Sequence, residues 1–290
     1  MKLYIYLYFT YIFYIFILKV KIKKGGAYIN NCTPFAKIPN KIILYSCTNN
    51  HYVLPLYLYS VVNKKYHNNI VDTNIYHIAR TFDSTADKRY SKELNFLKTL
   101  WELNDTVKIK NKITKKEEVL FSPCWNILEQ YNKPNFTSGT KQDYSARIEY
   151  EFQDTSDSIN DNFTIMYYDE YEYIVDYINK INREALATKK EGGKSKQKNL
   201  IDILNLYCYL KYLIALSISL NHTAHPTIKT LAEKLGLGKD TITKYINILV
   251  DMKVITYTKG DFTNKTSNTY LISKEWRKID GESESDESEQ

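Results

Sequence analysis

The chain has 290 residues, 43% of them hydrophobic, which is enough apolar sequence for about two globular domains and excludes an intrinsically disordered protein. Its net charge is +7, but residues 279–290 hold six acids and no base, so the rest of the chain has 40 bases against 27 acids, a balance of +13. A basic body with an acidic tail favours a polyanion such as nucleic acid as the partner.

The cysteines and histidines show no metal-binding pattern. No CxxC pair occurs among the four cysteines, Cys32, Cys47, Cys124 and Cys208. This spacing favours free thiols in the reducing cytosol over disulfides or a zinc site. His222 and His225 form an HxxH, but Pro226 follows them and no cysteine or acid lies nearby. We therefore expect a loop at these histidines, a cytoplasmic protein, and neither a metal nor a cofactor.

Residues 1–34 form an apolar N-terminal extension. The run Leu3–Leu18 is apolar and aromatic, and lysines follow it. This run is slightly shorter than the roughly 20 apolar residues that span a bilayer, and no signal-peptide cleavage site follows it. The codons for Lys24–Gly26 can instead form a purine-rich ribosome-binding site, which would place the true start near Ile29. Such a start needs an unusual codon, because the next Met after Met1 is Met166. We favour a dispensable extension, with a membrane anchor as the alternative.

Residues 35–121 have the pattern of a first winged-helix domain. A helix is predicted over His51–Tyr66, with Pro55 in its first turn. A short helix follows, capped by Asp72 or Thr73. Its apolar residues share one face at i, i+3, i+4 and i+7, namely Ile75, Ile78, Ala79 and Phe82.

A longer helix is predicted from Ala86 to Leu103, and Val107–Lys110 and Val119–Phe121 are expected as the two strands of a wing. The inward stripe of this helix consists of Tyr90, Leu94, Leu97 and Trp101. Its outward side consists of Lys88, Arg89, Lys92, Asn95 and Lys98. A basic helix face is usually only solvated, but the second helix of a helix-turn-helix contacts DNA. The basic members of the outward side are therefore candidate DNA contacts.

Residues 122–198 comprise an acidic middle segment and a basic linker. Alternating apolar residues at 148–152 and 163–167 predict a β-hairpin, and a helix is predicted over Asp169–Ala187. Nine acids and no base lie between positions 148 and 179, so we expect this surface to face solvent, a partner or another subunit rather than DNA. The linker over 189–198 contains the GKS of a phosphate-binding loop without its earlier glycine or its preceding strand, which favours a flexible joint.

Residues 199–276 carry the most specific motif of the chain. Thr227–Val250 has the apolar spacing of two short amphipathic helices joined by a turn at Gly236–Gly238. The first glycine of that turn is suited to the positive φ that ends a helix. Asp240 and Thr241 lie where the cap of the second helix belongs.

The flanking segments extend this motif to a winged helix. Asn199–Leu220 is predicted as the first helix, and Val254–Thr258 and Thr269–Ile272 as the strands of the wing. The tail at 277–290 is acidic, contains a stretch without apolar residues and is expected to be disordered. Its role is either solubility or competition with DNA for the basic surface.

In the second helix of the motif, Ile242, Ile246 and Leu249 are expected in the core. The residues between them point outward: Lys239, Thr241, Thr243, Lys244 and Asn247. Because asparagine pairs with adenine and lysine with guanine or phosphate, Asn247 and Lys244 are the candidate base contacts. The wing adds candidate contacts to phosphate or the minor groove at Lys259, Lys265, Thr266 and Ser267.

Two winged helices in one chain resemble the plasmid replication initiators of low-GC Gram-positive bacteria. The resemblance rests on FAKIPNKIILYS, VLPLYLYSVVNKK and DTNIYHIARTF at the front and on HPTIKTLAEKLGLGKDTITKYINILVDMKVITYTKGDFTNKTSNTYLI at the back. The back motif is specific for DNA-binding winged helices in general, and the front motif is loose. The resemblance implies binding of direct repeats at an origin, opening of an AT-rich region and recruitment of host replication proteins.

We therefore predict an α+β protein, mainly α with small β wings, in which an acidic middle segment joins two winged-helix domains. The expected function is sequence-specific binding of double-stranded DNA as a plasmid or phage replication initiator, with a homodimer as a further expectation. The alternatives are a winged-helix transcriptional regulator and a winged helix that binds protein instead of DNA. A nicking nuclease needs two histidines separated by one apolar residue, which the sequence lacks, so we expect no enzyme and no catalytic residue.

Overall fold

The computed structural model describes most of the chain after residue 33. The described ranges are 34–65, 69–83, 89–103, 107–110, 117–121, 124–128, 147–154, 162–188, 197–217, 222–261 and 267–279. The chain divides into two units, Met1–Pro34 and Phe35–Gln290, and every helix and strand named below belongs to the second. The predictions for the N-terminal extension, most of the linker, the acidic tail, Lys88, Lys265 and Thr266 lie outside the described residues.

A strand and two helices open the second unit. β1 (Phe35–Pro39) leads into α1 (Asn40–Thr48), and α2 (Val53–Asn63) follows after a short turn. Nearly all of α2 is buried. Pro55 costs this helix no hydrogen bond, because N–H groups in a first turn have no intrahelical partner. α2 lies inside the helix predicted over 51–66, whereas α1 is absent from the predicted elements.

The next two helices lie where the sequence predicts them. α3 spans Ile75–Phe82 and α4 spans Arg89–Glu102. The four apolar residues predicted on one face of α3 are all buried, which confirms that face. The two helices pack against each other.

The cap predicted for α3 at Asp72 or Thr73 is wrong. β2 (Ile70–Asn74) continues up to the helix, so both residues belong to a strand. The side-chain oxygen of Asn74 accepts a 2.7 Å hydrogen bond from the backbone N–H of His77 and caps the helix instead.

The two strands predicted as a hairpin pair with strands of the front region rather than with each other. β6 (Arg147–Phe152) lies between β2 and β5 (Trp125–Ile127), antiparallel to both. β7 (Phe163–Tyr167) is antiparallel to β1. The predicted β-hairpin is therefore wrong, because alternation identifies a strand but not its partner. β3 (Val107–Lys110) and β4 (Glu117–Phe121) form an antiparallel pair, as expected for the first wing.

Two long helices join the front of the unit to its C-terminal part. α5 spans Tyr168–Ala187 and α6 spans Leu200–Leu216. α6 is buried on nearly all sides, as is typical of a helix enclosed by other elements, and it packs against α1, α2 and α5. One cluster of buried side chains extends through the front, middle and C-terminal regions. The three regions therefore share a core within this unit.

Three helices and a hairpin complete the described fold. They are α7 (Ile228–Leu235), α8 (Lys239–Asp251), β8 (Ile255–Thr258), β9 (Thr269–Ile272) and α9 (Trp276–Ile279). β8 and β9 are antiparallel, with Ile255 opposite Ile272, at the predicted positions. The fold is of the α+β class, as predicted. Within the described part of the chain, no helix is both long enough and apolar enough to cross a membrane.

Candidate nucleic-acid interface

The turn between α7 and α8 has the geometry that the sequence predicts. Thr227 caps α7, since its hydroxyl accepts a 3.0 Å hydrogen bond from the backbone N–H of Thr230. Gly236 ends α7 at a φ of +62°, in the left-handed region that favours glycine. The backbone N–H of Leu237 then donates to the carbonyl of Ala232 at 3.0 Å. These bonds fix the direction in which α8 leaves the turn.

The cap predicted for α8 differs from the observed one. Gly238 is the N-cap and has no side chain to accept a hydrogen bond, so Asp240 and Thr241 lie inside the first turn. The carboxylate of Asp240 there interacts favourably with the positive end of the helix dipole. The N-terminus of α8 is therefore stabilised by core packing and by this dipole interaction rather than by a side-chain cap.

One side of α8 is packed into the core. Ile242, Ile246 and Leu249 are buried, as predicted, together with Tyr245 and Ile248. Burial raises the pKa of Tyr245 to about 12, so this phenol stays neutral near neutral pH. α8 packs against α7, α6 and β8. This packing leaves the opposite side of the helix free.

The free side of α8 carries the predicted DNA contacts. Lys239, Thr243, Lys244 and Asn247 are exposed, and Thr241 is half-buried. The Thr243 hydroxyl donates to the carbonyl of Lys239 at 3.0 Å, so it faces a ligand as an acceptor. Lys244 and Asn247 form no side-chain hydrogen bond or ion pair with the described part of the chain.

Two exposed carboxylates bracket this polar surface. Asp240 lies at the start of α8 and Asp251 at its end. Both carry negative charge, which disfavours phosphate in direct contact with these two side chains. Lys253 is also exposed, two residues after the end of α8 and at a left-handed φ of +57°, and it is not among the predicted contacts. A lone base in the turn after a recognition helix is the only sequence signal for it.

The base of the wing is fixed by Asn268. Its side-chain oxygen accepts a 3.0 Å hydrogen bond from the backbone N–H of Gly260. The backbone carbonyl of Asn268 lies 3.1 Å from Nδ1 of His225, and this contact joins the loop before α7 to the wing. His225 therefore has a structural partner in the predicted loop. Lys259 and Ser267 are exposed on either side of the wing loop.

The basic residues predicted on α4 do not form one outward face. Nζ of Lys92 lies 2.7 Å from a carboxylate oxygen of Asp83, which is itself buried. The side-chain nitrogen of Asn95 donates to the hydroxyl of Tyr52 at 3.0 Å. Lys98 is half-buried beside a polar groove of about 440 Å³. The outward assignment of Lys92 and Asn95 is therefore wrong.

The reason is the position of the buried stripe of α4. Among the side chains of this segment that the structure describes, the buried ones are Phe96, Leu97, Thr99, Leu100 and Leu103. Of the predicted stripe, Leu97 is buried, and Leu94 and Trp101 are only partly buried. The stripe is thus rotated from the prediction, which brings Asn95 against Tyr52 and Lys92 against Asp83. Arg89 is the first residue of α4.

The described residues contain no group of three histidine, cysteine or acidic side chains that could hold a metal ion. Cys47, Cys124 and Cys208 are free thiols and are buried. Burial raises the pKa of Cys47 to about 12 and also raises that of Cys208. Neither of these two thiols is therefore ionised near neutral pH, as a reactive cysteine would be.

Comparison with known proteins identifies the C-terminal part of the unit. Residues 204–255 match the family model of a helix-turn-helix domain. The match covers most of α6, all of α7 and α8, and the first residue of β8. No curated protein and no solved structure matches the chain significantly. The chain contains a helix-turn-helix domain completed by a β-hairpin wing, and a domain of this kind suggests binding to double-stranded DNA.

Proposed function

We propose that the protein binds specific sequences of double-stranded DNA and that α8 enters the major groove. An α-helix fits the width of that groove, whose base edges offer donors and acceptors. The observation that carries the proposal is the exposed pair of Lys244 and Asn247, three residues apart on α8 and without described partners. Asn247 reads adenine, and Lys244 contacts guanine or phosphate.

The wing and the start of α8 hold the DNA backbone in this proposal. Lys239 and Lys259 are exposed at the two ends of the region that faces the duplex. Ser267 is exposed just before the second strand of the wing. Contacts of this kind fix the register of a protein on DNA without reading its sequence. The predicted contacts Lys265 and Thr266 lie between β8 and β9 in the sequence.

We further propose that the DNA target is a set of repeats at a replication origin. The support is a second series of elements with the same order in the same unit. α3 and α4 are packed consecutive helices followed by the antiparallel strands β3 and β4, just as α7 and α8 are followed by β8 and β9. Two such series allow one chain to contact two segments of duplex, which suits an initiator that binds repeated sequences.

The test is a footprint of the full chain on the DNA that surrounds its own gene. The initiator proposal expects protection of tandem repeats, and a plasmid that carries those repeats should replicate only when the chain is supplied. Protection confined to a promoter, with replication independent of the chain, would replace the initiator by a transcriptional regulator. Absence of any protected region would contradict DNA binding itself.

A further inference from the structure

On one face of α5, two exposed acids precede two exposed bases along the helix axis. A further exposed acid, Glu184, lies at the edge of this face, about 40° around the helix from Lys180. Glu172 and Asp176 are exposed in its first half, and Lys180 and Arg183 in its second half. None of these four side chains forms an ion pair with another described residue. Nε of Arg183 donates to the carbonyl of Asn179 at 3.3 Å, which leaves its terminal nitrogens without a described partner.

Helix geometry places these four charges so that they can pair with the same four charges on a second copy of α5. With about 100° between successive residues, Glu172 and Arg183 lie about 20° apart around the helix, and Asp176 and Lys180 about 40° apart. The midpoint of both pairs falls next to Tyr177. A second α5 related by a two-fold axis at this midpoint runs antiparallel to the first. It sets each Glu172 against the other copy's Arg183, and each Asp176 against the other copy's Lys180.

The surface around these charges has a ridge with a groove on each side, which is the shape that helix packing requires. A groove of about 660 Å³ on one side of α5 is lined by the aromatic residues Tyr173, Tyr177 and Trp276, by the four charged residues named above and by Asp169. A groove of about 510 Å³ lies on the other side, and Glu172 and Asp176 line both. The rings of Tyr173 and Trp276 stack with centroids 5.2 Å apart. The exposed ridge of one α5 can therefore seat in a groove of another, against aromatic surface.

We infer that a second copy of this chain docks on this face of α5. The charge pattern decides the occupant, because DNA is repelled by Glu172 and Asp176 and a purely basic partner by Lys180 and Arg183. A copy of the same helix in antiparallel orientation satisfies all four charges at once, as a two-fold interface requires. The inference does not depend on DNA binding and can be tested without DNA.

The experiment is sedimentation equilibrium of the full chain, without DNA, at low and high ionic strength. The wild-type chain dimerises, and added salt weakens the dimer because exposed charges are screened within about 10 Å at about 0.1 M salt. The first variant, Glu172→Lys with Asp176→Lys, carries four bases on the face. The second, Lys180→Glu with Arg183→Glu, carries four acids. Each variant alone raises the dimer dissociation constant about tenfold or more, and a mixture of the two restores a dimer with wild-type affinity.

Glu233→Lys is the matched control, since Glu233 is an exposed acid on α7 whose charge lies outside this face. This reversal leaves the dimer dissociation constant unchanged, and circular dichroism verifies that every variant is folded. The inference is overturned by a wild-type chain that stays monomeric at low salt, or by double variants that dimerise as tightly as the wild type. A mixture of the two variants that forms no heterodimer also overturns it.

Discussion

Nζ of Lys211 donates a 2.6 Å hydrogen bond to a carboxylate oxygen of Glu170, and the two residues are only 9% and 2% exposed. The hydroxyl of Tyr207 donates to the other oxygen of the same carboxylate. The backbone N–H of Tyr167 donates at 3.2 Å to the carboxylate oxygen that Lys211 also contacts. Because Glu170 belongs to α5 and Lys211 to α6, this network joins the middle segment to the first helix of the helix-turn-helix domain.

Replacing Glu170 by glutamine should destabilise the protein by about 3–5 kcal/mol, because Lys211 is then left buried without its counter-charge. Urea unfolding followed by circular dichroism measures this loss. The control is Glu233→Gln, which removes an exposed i,i+4 pair with Lys229 and should cost less than about 1 kcal/mol. Equal stability of the two variants would show that the buried network contributes little.

Replacing Gly236 by alanine should destabilise the turn before α8 by about 1–2 kcal/mol, because a Cβ disfavours the left-handed φ of +62°. No atom lies within 4 Å of the added Cβ, so a steric clash is not the cause. Gly238→Ala is the matched control in the same turn. Its φ is −67° and its new Cβ meets only Thr241, at 3.8 Å. Thermal unfolding should separate the two variants, and a larger loss at Gly238 would contradict this explanation.

Replacing Lys92 by alanine should lower stability rather than weaken DNA binding. The carboxylate of Asp83 would lose its 2.7 Å partner in a buried position, at a cost of about 1–3 kcal/mol. Arg80→Ala removes an exposed base from the neighbouring α3 and should change stability by less than about 0.5 kcal/mol. Urea unfolding and DNA titration of both variants test this. A Lys92→Ala protein that is as stable as the wild type but binds DNA more weakly would contradict this prediction and would assign Lys92 to the DNA interface.

Alkylation should leave Cys47 unmodified in the folded protein at about pH 8, because its thiol is buried and its pKa is raised to about 12. In the unfolded chain this thiol has its ordinary pKa of 9.0 and ionises as the pH rises past that value. The contribution of this thiol to stability is therefore full below that value and is lost as the pH rises towards about 12. Mass spectrometry after labelling with and without urea measures its accessibility. Equal labelling rates under the two conditions would contradict the burial of Cys47.

Substitutions on α8 should separate base recognition from phosphate binding. Asn247→Ala should cost about 1–3 kcal/mol of binding and relax the preference for adenine at one position. Lys259→Ala should weaken all sequences alike and lower the slope of log affinity against log salt by about one. Arg147→Ala is the control, since Asp72 and Glu149 already neutralise that guanidinium. Titrations of each variant against matched duplexes test the assignment, which fails if Asn247→Ala and Lys259→Ala both bind like the wild type.

The helix-turn-helix could be predicted because its determinants are local. Gly236 ends one helix, and the apolar spacing within α7 and α8 defines their buried sides without information from elsewhere in the chain. The same holds for α3, whose four apolar residues fix its inward face. Cap positions were less predictable, because the strand β2 occupies the residues that resemble caps before α3.

Non-local pairing accounts for most of what the sequence could not predict. β6 contains the same alternation as a hairpin strand, but its partner β2 lies more than 70 residues earlier in the chain. Glu170 counts as part of an acidic surface in the sequence, yet Lys211 neutralises it across two helices. Lys92 resembles a surface base until Asp83 is folded against it. In each case the decisive partner is distant or on an adjoining element, outside the reach of periodicity.

The central claim is that α8 recognises bases in a duplex. The most direct measurement is a titration of the full chain against the footprinted duplex and against a scrambled duplex of the same composition, at about 0.15 M salt. The account predicts binding to the footprinted sequence at least about a thousandfold tighter than to the scrambled one. Equal affinity for the two duplexes would contradict it.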